Sequence, residues 1–262
     1  KPSLASTVLI TDPPDGPNQP MGVAQGIIPG RVTWAWDRAA TDSLCLNGPG
    51  DRYFLPGNYN QPVVDSMIRK SVMSLTGALT IAGAWDSIFT YHNIRKSNLR
   101  KGYSPGETIF IKINQGTASW LYMNGTEYEA PDVLPQGDWK NAYAGACETS
   151  PPVVLAILRQ LVNDYGIEQQ NIIIGVPISH IYRHNYEYWH SEFPDVKYID
   201  QSGDVGRTII HAGDTASIRY SDLGTIMPDA ISDKLYKEMT DAGYMINVAN
   251  LKPHSGTGIT LT

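Results

Sequence analysis

The 262-residue chain is predicted to be an α/β protein, a mostly parallel sheet with helices on both faces in Rossmann-like layering. Two observations predict it. Thr108–Ile113 (TIFIKI), Asn171–Val176 (NIIIGV), Val196–Asp200 (VKYID) and Tyr244–Asn250 (YMINVAN) are apolar runs of strand length. Segments with helical periodicity lie between them. Unbroken apolar strands have no water-facing side, and a helix between two strands supplies the crossover that parallel pairing requires.

Each element follows from local chemistry. Residues 12–20 hold four prolines and a glycine, a density that neither a helix nor a central strand tolerates, so residues 1–28 read as an extended N-terminal arm. Residues 29–262 read as a single domain. Arg31–Trp36 (RVTWAW) is β-branched and aromatic, a predicted strand, and Gly48–Pro62 reads as loop. From Pro62 to Gly77, Val64, Ile68, Val72 and Leu75 recur at helical spacing with a glycine stop; a second helical pattern runs through Trp85, Ile88 and Phe89. Residues 115–148 lack periodicity and carry several glycines and prolines, which predicts a long irregular excursion. Ser150 as N-cap, Pro151 at the first position, the stripe Val154, Leu155, Leu158, Leu161, Val162 and the stop Gly166 define the clearest helix. Helices are also predicted over His180–Phe193 and Asp233–Ala242.

Composition excludes several function classes. Charged residues are 18% of the chain and the net charge is −6, with basic residues only in scattered pairs, so no nucleic-acid partner is expected. No apolar run approaches the ~20 residues of a membrane-spanning helix. Cys45 and Cys147 are the only cysteines, too few for a four-thiolate zinc or iron–sulfur site; a disulfide and two lone thiols both remain open. The Tyr-, Trp-, Gly- and Pro-rich composition suits an exported protein, secreted or periplasmic. There is no G-x-G-x-x-G after a strand, no P-loop, no H-E-x-x-H and no G-x-S-x-G.

Two constellations carry candidate chemistry. His180, His184, Glu187 and His190 fall at steps of four, three and three, one broad helical stripe from which two or three side chains would reach a metal ion. The same stripe fits the polar flank of an amphipathic helix whose apolar side is Ile181, Tyr188 and Trp189, the commoner arrangement. In the second constellation Lys112 and Asn114 end one strand. Lys252, His254 and the run Ser255-Gly256-Thr257-Gly258 follow another, and Asp200 ends a third. Ligands of open α/β sheets settle beyond the carboxyl ends of strands. There Lys112 and Lys252 would hold a small anion, Asn114 would orient it, the backbone of Gly256 and Gly258 would approach it, and His254 would exchange a proton or bind a metal. Against this stands a reading of snorkelling lysines and ordinary turn glycines.

Taken together, Pro20–Asp37, the Val63–Gly77 helix, Tyr103–Asn114, Ser150–Gly175, His190–Asp200 and Ala242–Leu261 resemble, in collinear order, the family known as domain of unknown function 362, in particular its exported Bacteroidetes-type members. The resemblance implies an α/β fold and export. It matches a Lys-x-Asn strand end to Lys112 and Asn114, and a Leu-Lys-x-His turn to Leu251, Lys252, His254 and Gly258. Family members associated with iron–sulfur modules differ from this chain, whose two cysteines supply none. Gly175-Val176-Pro177 stands where members commonly carry Gly-Asp-Pro, and the chain stops at Thr262 where the pattern continues, so the domain is expected to be C-terminally incomplete relative to the family. The resulting expectation is an uncharacterised exported protein with an anion or metal site at the strand ends. The alternative is a non-catalytic surface protein that self-associates through its arm, adding a strand to a neighbour. A third, carbohydrate binding, rests on Trp120, Tyr122, Tyr128 and Trp139.

Overall fold

The computed structural model describes residues 22–48, 51–116, 148–203, 205–214, 218–219, 232–254 and 258–260. Helices α1 (Gln61–Thr76) and α2 (Ile81–Ser97) precede strand β1 (Ile109–Ile113). Helix α3 (Pro151–Arg159) runs into a π-helical turn (Gln160–Asp164), followed by β2 (Ile172–Gly175), α4 (Arg183–His190), β3 (Lys197–Asp200) and β4 (Thr208–Ile209). The remaining elements are β5 (Ile218–Arg219), β6 (Ser232–Asp233), the single-turn α5 (Lys237–Thr240), β7 (Tyr244–Val248), β8 (Lys252–His254) and β9 (Gly258–Thr260).

Five strands form one sheet in the order β4-β3-β2-β1-β7, every pair parallel. The α/β expectation is met, and β1 is an interior strand between β2 and the edge strand β7. Strands β5 with β6 and β8 with β9 form two small antiparallel pairs. The two faces are covered unevenly. Ile109, Ile111, Ile113, Ile172 and Ile174 pack with Trp85 and Phe89 of α2, Val154 and Leu158 of α3, and Trp189 of α4. The opposite face carries Phe110, Ile173 and Ile199, covered by Ile210, Ala242, Tyr236 and Met239.

Local signals explain the helix ends. Asn60 Oδ1 accepts from Val63 N at the start of α1, which stops at the left-handed Gly77; Thr80 caps α2 through Gly83 N. Ser150 precedes α3 but its hydroxyl makes no capping bond. Arg159 joins three helices. Its guanidinium takes Asp65 of α1 at 2.6 Å and, bidentate, Glu192 just beyond α4 at 2.8 and 2.6 Å. Those two carboxylates, Glu192 foremost, hold the Arg159 pKa well above its usual range. Among the described residues no single helix is long and apolar enough to cross a membrane; α1 and α2, bent by 51° at their break, approach that test only as a pair.

Three predicted elements differ. Arg31–Trp36 joins no sheet and lies extended along α1, with Thr33 Oγ1 donating to Ser71 O and an Arg31 Nη to Ser74 O. Its alternate residues Val32, Trp34 and Trp36 are left 86%, 83% and 74% exposed. The predicted helix over His180–Phe193 begins only at Arg183. Upstream, side chains claim the backbone: Asp200 accepts from Ile181 N, Gln115 Oε1 from Tyr182 N, and Arg207 donates to Ile181 O. The predicted helix over Asp233–Ala242 shrinks to one turn, because Leu235 O and Lys237 N pair with Gly213 N and His211 O. Residues 1–21 of the arm, most of the 115–148 excursion and Cys147 lie outside the described residues; Cys45 is a free thiol donating to Asp51 O.

Gly175 is required by packing. A β-carbon built there would lie 2.7 Å from Ile199 Cγ1 and 2.8 Å from Phe110 Cζ, both core atoms. Gly175→Ala is therefore expected to destabilise the protein by about 1–3 kcal/mol in denaturant unfolding; a loss below about 0.5 kcal/mol, the range of neutral surface changes, would contradict this packing.

Candidate functional site

Beyond the carboxyl ends of β1 and β2, on the thinly covered face, lies a cavity of about 450 Å³. Lys112 and Ile113 of β1 with Asn114, Gln115 and Gly116 form one wall, and Val176, Pro177 and Ile178 after β2 form the next. Leu235, Tyr236 and Met239 close it from the α5 side, and Lys252 of β8 completes it. The position obeys the general rule for open α/β sheets: β2, β3 and β4 lie on one side of β1 and β7 on the other, so the chain reverses direction across the sheet at β1.

Lys112 is placed by strand alternation. It follows Phe110 by two residues, so it shares the face opposite the main helix layer, in register with Gly175 of β2 and Asn247 of β7. It is half-buried, and no hydrogen bond or ion pair engages its Nζ among the described residues. Burial holds its ammonium pKa below the usual lysine value.

Lys252 is differently situated. Its Nζ donates to Asn114 Oδ1 at 3.1 Å and to Glu148 Oε2 at 2.9 Å, with Glu148 only 2% exposed. Lys252 is thus the counter-ion of a buried carboxylate as well as a wall of the cavity, and the pair contributes no net charge. Lys112 is a cation of the lining with no counter-ion among the described residues. Thr149 clips the floor together: its hydroxyl accepts from Asn114 N at 2.7 Å and donates to Val248 O at 2.8 Å, while Thr149 N donates to Asn114 O at 2.9 Å. Gln115 is fully buried, its Oε1 accepts from Tyr182 N, and its Nε2 has no hydrogen-bond partner among the described residues.

The other sequence-derived candidates are placed apart. His254 pairs in register with Gly258 in the β8–β9 hairpin, two residues beyond Lys252; Gly256 lies outside the described residues, as do Trp120, Tyr122, Tyr128 and Trp139. Asp200 does not line the cavity. It is buried, and its carboxylate accepts from Ile181 N, Ser202 N, Gly203 N and Ser202 Oγ, shaping the turn that follows β3.

The histidine stripe does not converge. His180 sits outside α4 with its Nδ1 3.2 Å from Ser202 Oγ, and Glu187 pairs with Arg183 at 2.6 Å. His184 stacks on Phe54 at 3.7 Å and on Tyr182 at 5.3 Å, where burial pushes its pKa down to about 3; His190 packs by Tyr186 and Tyr198. Among the described residues no three His, Cys, Asp or Glu side chains gather as a metal would require.

Sequence reasoning missed Gln115, Thr149, Glu148, Tyr236 and Met239. Gln115 was within reach, since it directly follows the Lys-x-Asn strand end. The others arrive from distant segments with no local signal.

Lys112 gives a pH-dependent stability term of definite sign. The folded chain sheds this proton at lower pH than the unfolded chain, whose lysine keeps the ordinary value of 10.5. Between the two values the unfolded state binds more protons, so stability rises with pH; below both, the fold bears the whole desolvation cost. Lys112→Met is expected to raise the melting temperature near neutral pH, where the fold bears the cost of holding this ammonium out of water. The advantage narrows as pH climbs toward 10.5. A constant difference across that range would show that Lys112 is not desolvated. No family model, curated protein or solved structure matches this chain.

Proposed function

We propose that the protein binds a small organic anion with an apolar body in the cavity at the strand carboxyl ends. One observation carries the reading: a half-buried lysine without a counter-ion among the described residues stands in a cavity walled by Val176, Pro177, Ile178, Leu235 and Met239. An ammonium removed from water gains most from a charged acceptor, and apolar walls favour a ligand with a hydrocarbon portion. Lys252 and Asn114 stiffen the wall. The resemblance to domain of unknown function 362, with the export it implies, belongs to this proposal and is supported by the collinear order of the matching segments.

Calorimetric titration with octanoate, butyrate, acetate and inorganic phosphate tests it. Octanoate is expected to bind most tightly, and Lys112→Met to weaken it by roughly tenfold or more, the worth of a charge-assisted hydrogen bond. If none of the four binds, or if the variant binds equally well, the reading fails.

Self-association is a second reading, favoured by the exposed row Val32, Trp34 and Trp36 along one extended segment. Light scattering across a concentration series should then show dimers that the double variant Trp34→Ser, Trp36→Ser lacks. A monomer at every concentration excludes it.

A further inference from the structure

The cavity contains the elements of an amine chemistry as well as a binding site. Lys112 projects from an interior strand of the sheet, a rigid support. No acid neutralises it among the described residues, and Val176, Pro177, Ile178, Leu235 and Met239 give the cavity a largely apolar wall. A lysine so desolvated has a larger neutral fraction near physiological pH than a surface lysine, in the direction its pKa is displaced. The neutral amine is the nucleophile that condenses with carbonyl compounds.

We propose that Lys112 forms a reversible imine with an α-keto acid bearing an apolar side chain. The inference rests on the reading of the cavity as an organic-anion site and names the class of anion. The lone pair of Nζ attacks the keto carbon, forming the C–N bond, while the carbonyl oxygen takes up a proton to give a carbinolamine. Loss of that oxygen as water then leaves C=N. The balance is amine plus ketone to imine plus water, with no oxidation or reduction. Hydrolysis returns both partners.

The surroundings suit each stage. Dehydration of the carbinolamine draws on proton donors, and Tyr236 and Lys252 line the same cavity. Lys252 has three N–H donors, two of them engaged by Asn114 and Glu148. The protonated imine carries the same positive charge as the ammonium it replaces, so the ligand's carboxylate keeps its counter-charge. The apolar walls take the side chain and limit the water available to hydrolyse the adduct.

The test treats the whole chain with α-ketoisocaproate and sodium cyanoborohydride near neutral pH, and maps the reduced adducts by peptide mass spectrometry. Binding of the non-carbonyl analogue α-hydroxyisocaproate is measured in parallel on the wild type and on Lys112→Arg, which keeps the charge but cannot form the imine. The expected result is labelling of Lys112 roughly tenfold above exposed lysines such as Lys101 and Lys70, the selectivity of an activated amine. Lys112→Arg should lose that adduct. If the hydroxy acid binds but Lys112 is labelled no more than the surface lysines, imine formation is overturned and anion binding stands. Labelling of Lys112 without hydroxy-acid binding supports the imine and removes the anion reading. If neither occurs, both fall.

Discussion

An interior strand of a parallel sheet covered on both faces has no side turned to water, and β1 carries a lysine. Strands β2 and β7 flank it, the helices α2 and α3 cover one face, and Ile210, Tyr236, Met239 and Ala242 cover the other. Four of its five residues, Ile109, Phe110, Ile111 and Ile113, meet this constraint by being apolar. Lys112 meets it by standing at the strand's carboxyl end on the thinner face, where the chain reverses across the sheet and leaves an opening. The cavity and the half-buried cation in its lining both descend from that placement.

The opening persists because its edges are tied from elsewhere. Thr149 links the ends of β1 and β7 through one hydroxyl, and Lys252 bridges Asn114 to the buried Glu148. An unpaired carboxylate at that depth would be costly, so the Lys252–Glu148 pair matters to the fold whatever binds beside it. Gly175 contributes by absence: with no β-carbon next to Lys112 in register, the Phe110 ring has room beneath the cavity. On the far side of the sheet, Arg159 draws α1, α3 and the end of α4 together, so the thick layer holds the strands while the thin layer accommodates the site.

The departures from the sequence reading share a cause. Helical periodicity in residues 180–193 is sound from Arg183 onward, but Asp200, Gln115 and Arg207 capture the backbone of residues 181–182 before a helix forms there. With His180 drawn off the helix and His184 buried in an aromatic stack, the four-residue stripe no longer faces one point. Likewise the β-branched, aromatic Arg31–Trp36 has the composition of a strand, yet it lies along α1 and pairs with no edge of the sheet. In each case a partner distant in sequence outcompeted a local preference worth only tenths of a kcal/mol per residue, as propensities generally are.

The sequence by itself determined the class of fold, the four longest strands of the main sheet, its three longest helices and the placement of Lys112, Asn114 and Lys252 around strand carboxyl ends. These follow from periodicity and turn chemistry, which act over a few residues and are written in the chain. Only the tertiary structure decided that Lys252 pairs with Glu148 while Lys112 meets no acid among the described residues, that Gln115 is fully buried, and that Asp200 serves a turn and not the cavity. Those distinctions turn on which side chains from residues 114, 148, 181 and 252 meet in space. Meetings between segments so far apart are settled by packing of the whole sheet, and no local pattern encodes them.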